Sequence, residues 1–133
     1  MWNPLGGSST FGYCEGMATN GSVDLRALAL NCTLKSGPAE SSTDLLLGEV
    51  LTELRSVGVS ADDPVRVADL NIKPGVTSDE GDGDEWPAVR QRILDSDILV
   101  LGTPIWLGQP SSIAKRVLER MDAFLGETDD QGR

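Results

Sequence analysis

The sequence predicts an α/β fold in which helices cover both faces of a parallel sheet. Three short apolar runs alternate with three segments in which apolar residues recur at helical spacing. An alternating order of strands and helices favours right-handed crossovers and parallel strands. The 133 residues, 39% of them hydrophobic, suffice for one domain with a single core. We therefore expect a three-layer α/β/α domain over residues 23–133.

Residues 1–22 precede this pattern and show neither a strand period nor a helical period. Five glycines stand there among serine, threonine and asparagine, namely Gly6, Gly7, Gly12, Gly16 and Gly21. Such a composition is typical of disorder, so we predict a disordered leader. Met17 precedes the plausible beginning Ala18-Thr19-Asn20, and we expect translation to start naturally there; an ordinary disordered leader is the alternative.

The first strand and the first helix follow directly. Leu25–Asn31 contains four successive apolar residues, as expected of a strand buried on both faces of a parallel sheet. A helix is predicted over Ser42–Val57, where Ser41 or Ser42 caps the start and Gly58 ends the last turn. One apolar stripe runs along this helix. Its members are Leu46, Leu47, Val50, Leu51, Leu54 and Val57.

The remaining elements complete the alternation. A second strand is predicted over Val65–Leu70, although charged residues interrupt it, and a second helix over Pro87–Ser96, with proline in the first turn. Ile98–Leu101 is the clearest strand, because it is four aliphatic residues long and stops at a glycine. The third helix is predicted over Ser111–Leu125, with Gly126 just beyond its end. Its apolar face comprises Ile113, Val117, Leu118, Met121, Phe124 and Leu125.

Charge and composition exclude several classes of function. The formal net charge is −10, from 21 acidic and 11 basic residues, which argues against nucleic acid or an anionic membrane as the main partner. No apolar stretch approaches the ~20 residues of a membrane span. The absence of histidine removes the usual general base and any Ser-His or Cys-His nucleophile pair. Two cysteines, Cys14 and Cys32, indicate neither a disulfide framework nor a metal site, so a reducing cytoplasm is expected.

Ligands of such sheets bind beyond the carboxyl ends of the strands, so we expect a binding site in residues 32–43 and 102–112. In the first loop, hydroxyl groups gather at a helix start, where free backbone N–H groups and the helix dipole attract an anion. The hydroxyl-bearing residues are Thr33, Ser36, Ser41, Ser42 and Thr43. Lys35 adds a positive charge. Ser and Thr at this position are more often simple caps, and this alternative stays open.

The second loop places a large aromatic residue between turn-forming residues. Trp106 follows Gly102-Thr103-Pro104-Ile105 and precedes Gly108-Gln109. An exposed indole beside free backbone amides suits a flat ring with polar edges. The alternative is that Trp106 folds back as a core anchor. The sequence holds neither a Gly-Lys-Ser/Thr ending nor a GxGxxG pattern, which argues against a nucleoside triphosphatase or a dinucleotide Rossmann site.

Both loops resemble those of a known family. The run from Gly102 to Trp106, with Gly108-Gln109 and a helix after it, resembles the flavin-ring loop of the NADPH-dependent FMN reductases and flavodoxin-like NAD(P)H oxidoreductases. Thr33-x-Lys35 with Ser41-Ser42-Thr43 is similar to their FMN phosphate loop. Two departures stand out: Cys32 occupies the usual glycine position, and Lys35 replaces the common arginine. The resemblance spans about residues 25–133.

The resemblance implies a flavodoxin-like fold and an FMN site. The phosphate would be held by Thr33, Lys35, Ser41, Ser42 and Thr43, and the ring by Thr103, Pro104, Ile105, Trp106, Leu107 and Gly108. The implied function is transfer of hydride or electrons from NAD(P)H, as co-substrate, through FMN to a small-molecule acceptor. A flavodoxin-type electron carrier and an inactive truncated fragment are the alternatives. Related flavoproteins are often dimers, so a homodimer is also implied.

Members of this family continue with a fourth and a fifth strand beyond the equivalent of Arg133. The resemblance therefore implies that the sequence holds strands one to three of the usual five and is C-terminally truncated. We accordingly expect the third strand to form an open edge of the sheet.

Neither the acidic run before the second predicted helix nor the residues after the predicted strands indicate a different function. The acidic run Asp79–Glu85 does not match the twelve-residue calcium loop, so a solvated acidic loop is favoured over a metal site. A signalling receiver domain of the same fold class would need clustered acids after the first strand and an aspartate after the third. Asn31-Cys32-Thr33 and Gly102-Thr103-Pro104 occupy those places, so the receiver hypothesis fails.

Overall fold

The structure is a computed structural model that describes residues 24–132. The helices and strands in chain order are β1 (Arg26–Asn31), α1 (Ser42–Ser56), β2 (Ser60–Ala61), β3 (Val65–Arg66), α2 (Trp86–Leu94), β4 (Ile98–Gly102), β5 (Ile105–Trp106), β6 (Gln109–Pro110) and α3 (Ser112–Met121). Short 3-10 turns follow β3 at Val67–Asp69 and α3 at Asp122–Gly126. The predicted leader and the proposed start at Met17 lie outside the described residues.

The central strand of the main sheet is β1. On one edge it pairs in parallel with β2 and then with β3, and on the other edge it pairs in parallel with β4. Asn31, the last residue of β1, is opposite Arg66 of β3 and Gly102 of β4. The three strands therefore end at the same level, and the predicted parallel α/β architecture is confirmed.

The two faces of β1 pack against different helices, as expected from the alternation of side chains along a strand. Ala27 and Ala29 belong to a core with Leu47 and Leu51 of α1. On the opposite face, a larger core unites β1 with α2 and α3. Its buried members are Leu28, Leu30, Cys32, Val67, Ile72, Trp86, Val89, Ala114 and Val117. The helices thus form layers on both sides of the sheet.

A close approach on the α1 side depends on glycine. A Cβ atom added to Gly102 would lie 2.7–2.9 Å from the Cγ and Cδ atoms of Leu47, closer than real Cβ contacts. The absence of a side chain at the end of β4 therefore lets α1 pack directly on the sheet.

The predicted second strand over Val65–Leu70 is wrong in its extent. Only Val65 and Arg66 pair with β1, after the separate short strand β2, and the chain then turns so that the Leu70 N–H donates to the Val67 carbonyl, 3.0 Å away. The side chains of Arg66 and Asp69 both bond the loop after β1. These tertiary contacts end the strand where the sequence pattern suggested that it continues.

The predicted apolar stripes of the helices are only partly buried. Leu46 on α1 and Val57 just after its end are 60% and 76% exposed, and Leu118 and Leu125 near the end of the described chain are also exposed. The third helix ends at Met121 rather than Leu125. Within residues 24–132, β4 pairs only with β1 and all five of its residues are partly exposed, in agreement with the expected open edge.

Candidate functional site

Both predicted loops leave the sheet at the same edge and are bonded to each other. The Cys32 N–H donates to the Gly102 carbonyl at 2.8 Å, where β1 and β4 end. Ser111, which is 1% exposed, donates from Oγ to the Cys32 carbonyl at 2.6 Å. The Ser111 N–H donates to Thr103 Oγ1 at 3.0 Å. One buried serine therefore connects the first loop, the second loop and the start of α3.

The first loop ends at the N-terminus of α1, where Ser42 is exposed and Thr43 is 8% exposed. Ser41 is the cap of α1, and its Oγ accepts from the Asp44 N–H at 3.3 Å. The N–H groups of Ser42 and Thr43 have no partner among the described residues, as is usual for the first turn of a helix. Ser41 is thus a cap, and the N–H groups of Ser42 and Thr43 remain as backbone donors for an anion.

The other predicted phosphate residues differ in exposure. Thr33 is 7% exposed, and its N–H donates to Asn31 Oδ1 at 3.0 Å. Lys35 is exposed, with Nζ 3.5 Å from the Glu40 carbonyl. Cys32 is buried, and its burial raises the pKa of the thiol to about 12, so the thiol stays protonated and is a poor nucleophile.

The second loop is a hairpin in which β5 and β6 pair in an antiparallel arrangement. Leu107 and Gly108 form its two-residue turn, both with positive φ, of 50° and 75°. Trp106 is 56% exposed, so in this structure it is not a core anchor. Ile105 is 77% exposed, and Leu107 is fully exposed. The hairpin therefore presents apolar side chains at the edge of the sheet.

Behind this hairpin, Thr103 and Pro104 are partly buried. Thr103 Oγ1 donates to the Pro104 carbonyl at 2.9 Å while accepting from Ser111. The predicted ring residues thus form one continuous segment whose base is fixed and whose tip is exposed.

Sequence reasoning missed three side chains that shape the first loop. Asn31 is fully buried, and its Nδ2 donates to Asp44 Oδ1 at 2.9 Å. Arg66 Nη1 donates to the Ala39 carbonyl at 2.6 Å, and Asp69 Oδ1 accepts from the Gly37 N–H at 2.9 Å. The available signal was the pair of charges that interrupts the predicted second strand, since both charges bond this loop.

The acidic segment is not uniformly solvated, which corrects the prediction for Asp79–Glu85. The side chains of Asp84 and Arg120 are both fully buried and form an ion pair at 2.7 Å. Arg120 also donates to the carbonyls of Lys73 and Thr77, so α3 holds this loop along much of its length. The bond from Arg120 keeps the pKa of the Asp84 carboxyl far below its ordinary value.

Within residues 24–132, no group of three or more cysteine, aspartate or glutamate side chains is placed to hold a metal ion. No helix in this part of the chain has the length and apolar character needed to cross a bilayer. A groove of about 1740 Å³ runs along α1, and one end of it reaches Lys35, Ser41, Ser42 and Arg66.

The family model for NADPH-dependent FMN reductase matches residues 25–132. An 8-demethyl-8-aminoriboflavin-5′-phosphate synthase from Streptomyces davaonensis is 34% identical over 116 residues, which are 78% of this chain and 45% of the synthase. A divalent metal cation transporter, MntH, from Mycobacterium bovis is 43% identical over 113 residues, covering 82% of this chain and 16% of the transporter.

A solved structure shows the same fold. The crystal structure of RosB with the bound intermediate 8-demethyl-8-formylriboflavin-5′-phosphate superposes with a TM-score of 0.70 and 32% identity, covering 80% of this chain and 45% of RosB. The chain spans less than half the length of each of these relatives. The fold is therefore flavodoxin-like, and the chain belongs to the NADPH-dependent FMN reductase family.

Proposed function

We propose that this chain binds FMN at the edge formed by its two loops and serves an oxidoreductase that uses NAD(P)H to reduce a small acceptor. The observation that carries the proposal is the bonding of both loops to Ser111 in a member of this family. It supports a single cofactor in contact with both loops, since β1 and β4 end in register.

The phosphate end of FMN fits the first loop. The free N–H groups of Ser42 and Thr43, at the positive end of the dipole of α1, suit an anion despite the negative charge of the whole chain. Thr33 and the Ser41 hydroxyl border the same loop, and Lys35 supplies a nearby cation. These are the residues that we propose to hold the phosphate.

The ring end fits the hairpin. Trp106 offers a flat apolar surface, and the segment from Thr103 to Gly108 offers backbone amides beside it. When bound, FMN supplies the hydride and electron chemistry. The protein has only to hold the ring in position and to provide its polar surroundings. The absence of histidine in the sequence is compatible with such a role. Ile105 and Leu107 would limit access of water to the ring.

The proposal is tested by mixing the purified chain with FMN, removing the excess and recording the visible spectrum. Retained flavin absorbance supports the site. Anaerobic addition of NADPH or NADH then tests the activity: direct bleaching supports the reductase, whereas bleaching only with an added reductase supports a flavodoxin-type electron carrier. A colourless protein after removal of excess FMN would contradict the proposed site in this chain.

A second candidate is that a flavin phosphate is the substrate rather than a resident cofactor. It is favoured by one observation: the names of the synthase relative and of the RosB complex both refer to modified riboflavin-5′-phosphates. Mass analysis of the released flavin after turnover separates the candidates, because a cofactor returns with unchanged mass and a substrate does not.

The small-molecule acceptor, a homodimeric state and a cytoplasmic location belong to the same proposal. The location is supported by Cys32, a buried free thiol of the kind that reducing compartments maintain. Sedimentation of the purified chain with and without FMN measures the oligomeric state.

A further inference from the structure

We propose that Arg66 is a positioning residue for the phosphate, because it cancels the charge of Asp44 and fixes the backbone of the first loop. The inference rests on the proposed function. It goes beyond that function because Arg66 belongs to β3 and not to either of the two proposed FMN-binding loops. It would make the preference of the chain for phosphorylated flavin depend on an ion pair.

Asp44 is an obstacle to anion binding in its own loop. It is the third residue of α1, so its carboxylate stands in the same first turn as the free N–H groups of Ser42 and Thr43. A carboxylate there interacts favourably with the helix dipole, but it repels a second anion at the same place. Phosphate binding therefore requires that the charge of Asp44 be balanced.

Two residues from neighbouring strands balance it. Asn31 and Arg66 are opposite each other across β1 and β3, and both reach Asp44. Asn31 Nδ2 donates to Oδ1 of Asp44 at 2.9 Å, and Arg66 Nη2 lies 3.4 Å from Oδ2. Each carboxylate oxygen thus has its own partner. The Arg66 side chain is 13% exposed and the Asp44 side chain is 47% exposed, so solvent screens the pair mainly from the side of the carboxylate.

The same guanidinium also shapes the loop. Arg66 Nη1 donates to the Ala39 carbonyl at 2.6 Å and to the Ser36 carbonyl at 3.4 Å. These bonds direct two carbonyl oxygens toward Arg66, where they cannot oppose an anion. The loop and its contacts hold two cations and three carboxylates, namely Lys35, Arg66, Glu40, Asp44 and Asp69. Loss of Arg66 would leave one cation against three carboxylates.

The experiment compares FMN with riboflavin, which lacks the phosphate, in four forms of this chain: wild type, Arg66→Gln, Asp44→Asn and the double variant. We expect Arg66→Gln to weaken FMN binding by about tenfold while riboflavin binding changes by less than about twofold. The double variant removes one charge of each sign, so we expect FMN affinity to return to within about threefold of wild type. Asp44→Asn alone should bind FMN at least as tightly as wild type.

Arg55→Gln is the matched control, because it removes the same charge near the other end of α1, where Arg55 bonds the Ala61 carbonyl. Its FMN and riboflavin affinities should match those of wild type. An equal loss of both ligands in Arg66→Gln, or an unchanged ratio of the two affinities, would overturn the inference. If Arg66→Gln does not fold, weaker FMN binding by Asp44→Asn would overturn it as well.

A second measurement separates this inference from the proposed function. Inorganic phosphate is titrated into wild type and Arg66→Gln while the amide resonances of Ser42 and Thr43 are followed. Weaker phosphate binding in Arg66→Gln supports the inference even if wild type retains no flavin, an outcome that would reject only the FMN site. Equal phosphate affinities in the two proteins would reject the role of Arg66.

Discussion

The hydroxyl of Ser111 lies 2.6 Å from the carbonyl oxygen of Cys32, a residue 79 positions earlier in the chain. The Ser111 Oγ also accepts from the Ala114 N–H at 3.1 Å and so caps α3. Because Ser111 is 1% exposed, water does not replace these bonds when the hydroxyl is lost. The start of α3 is thereby fixed to the end of β1.

Ser111→Ala should therefore lower stability and loosen the site. Loss of the cap and of a buried bond should reduce the free energy of unfolding by about 1–3 kcal/mol. Urea unfolding measures this change, and a flavin titration should show weaker FMN binding. Ser112→Ala, at the exposed neighbouring position, is the matched control and should stay within about 0.5 kcal/mol of wild type. Equal effects of the two substitutions would contradict the role of Ser111.

Trp106→Ala should weaken flavin binding without a matching loss of stability. The side chain is 56% exposed, so it contributes little to the core, but its indole offers most of the flat surface of the hairpin. A stacking contribution of about 1 kcal/mol corresponds to roughly fivefold weaker FMN binding. Trp106→Phe should recover part of that affinity. Val57→Ala, which shortens another exposed apolar side chain, should leave FMN binding unchanged in the same titration.

Gly102→Ala and Gly48→Ala should have opposite effects on stability. At Gly102 the added methyl group would meet Leu47 at less than 3 Å, and overpacking of this kind destabilises by about 1–3 kcal/mol. At Gly48, within α1, nothing lies within 4 Å of the added atom, so alanine should stabilise the helix by about 0.5–1 kcal/mol. Thermal unfolding of both variants checks the sign. A double variant with Leu47→Ala should reduce the loss at Gly102 if the clash is its cause.

Breaking the buried pair of Arg120 and Asp84 should be costly. Arg120→Met leaves a buried carboxylate without its cation, which typically destabilises by about 3–5 kcal/mol. Arg92→Met, which breaks an exposed pair with Asp62 at 3.9 Å, should change stability by less than about 1 kcal/mol. Denaturant unfolding at neutral pH compares the two variants. A small effect of Arg120→Met would show that the loop finds another anchor.

The pH dependence of stability should report the same pair. The folded-state pKa of Asp84 is lowered from its ordinary value of 3.8, chiefly by the bond from Arg120. The ionised carboxylate therefore stabilises the fold above that ordinary value, and this contribution decreases as pH falls below it. Asp84→Asn should lose less stability than wild type between about pH 5 and pH 2. Parallel slopes for the two proteins in this range would contradict the assignment.

The elements that the sequence predicted well are those with local causes. The apolar runs of β1 and β4 and the cap of α1 at Ser41 need only neighbouring residues, and the structure contains all three. β2 could not be predicted, because Ser60 and Ala61 become a strand only by pairing with the start of β1.

The candidate site shows the same division. The two loops followed from the rule that parallel strands end at one edge, whereas the contacts that shape the loops come from distant positions. Arg66 bonds Ala39 across 27 residues, and Arg120 reaches Asp84 across 36. No local pattern distinguishes Asp84 from its solvated acidic neighbours, because its burial depends on a cation on another helix.

The two faces of β1 carry apolar side chains of different size, so the two sides of the sheet tolerate different substitutions. The apolar side chains that β1 presents toward α1 are the methyl groups of Ala27 and Ala29, so a substitution at either position almost always adds volume to a filled space. Toward α2 and α3 it presents Leu28 and Leu30, where most replacements leave a void instead. During evolutionary drift, compensating changes on the first side must therefore come from smaller residues on α1, and on the second side from larger residues on α2 or α3.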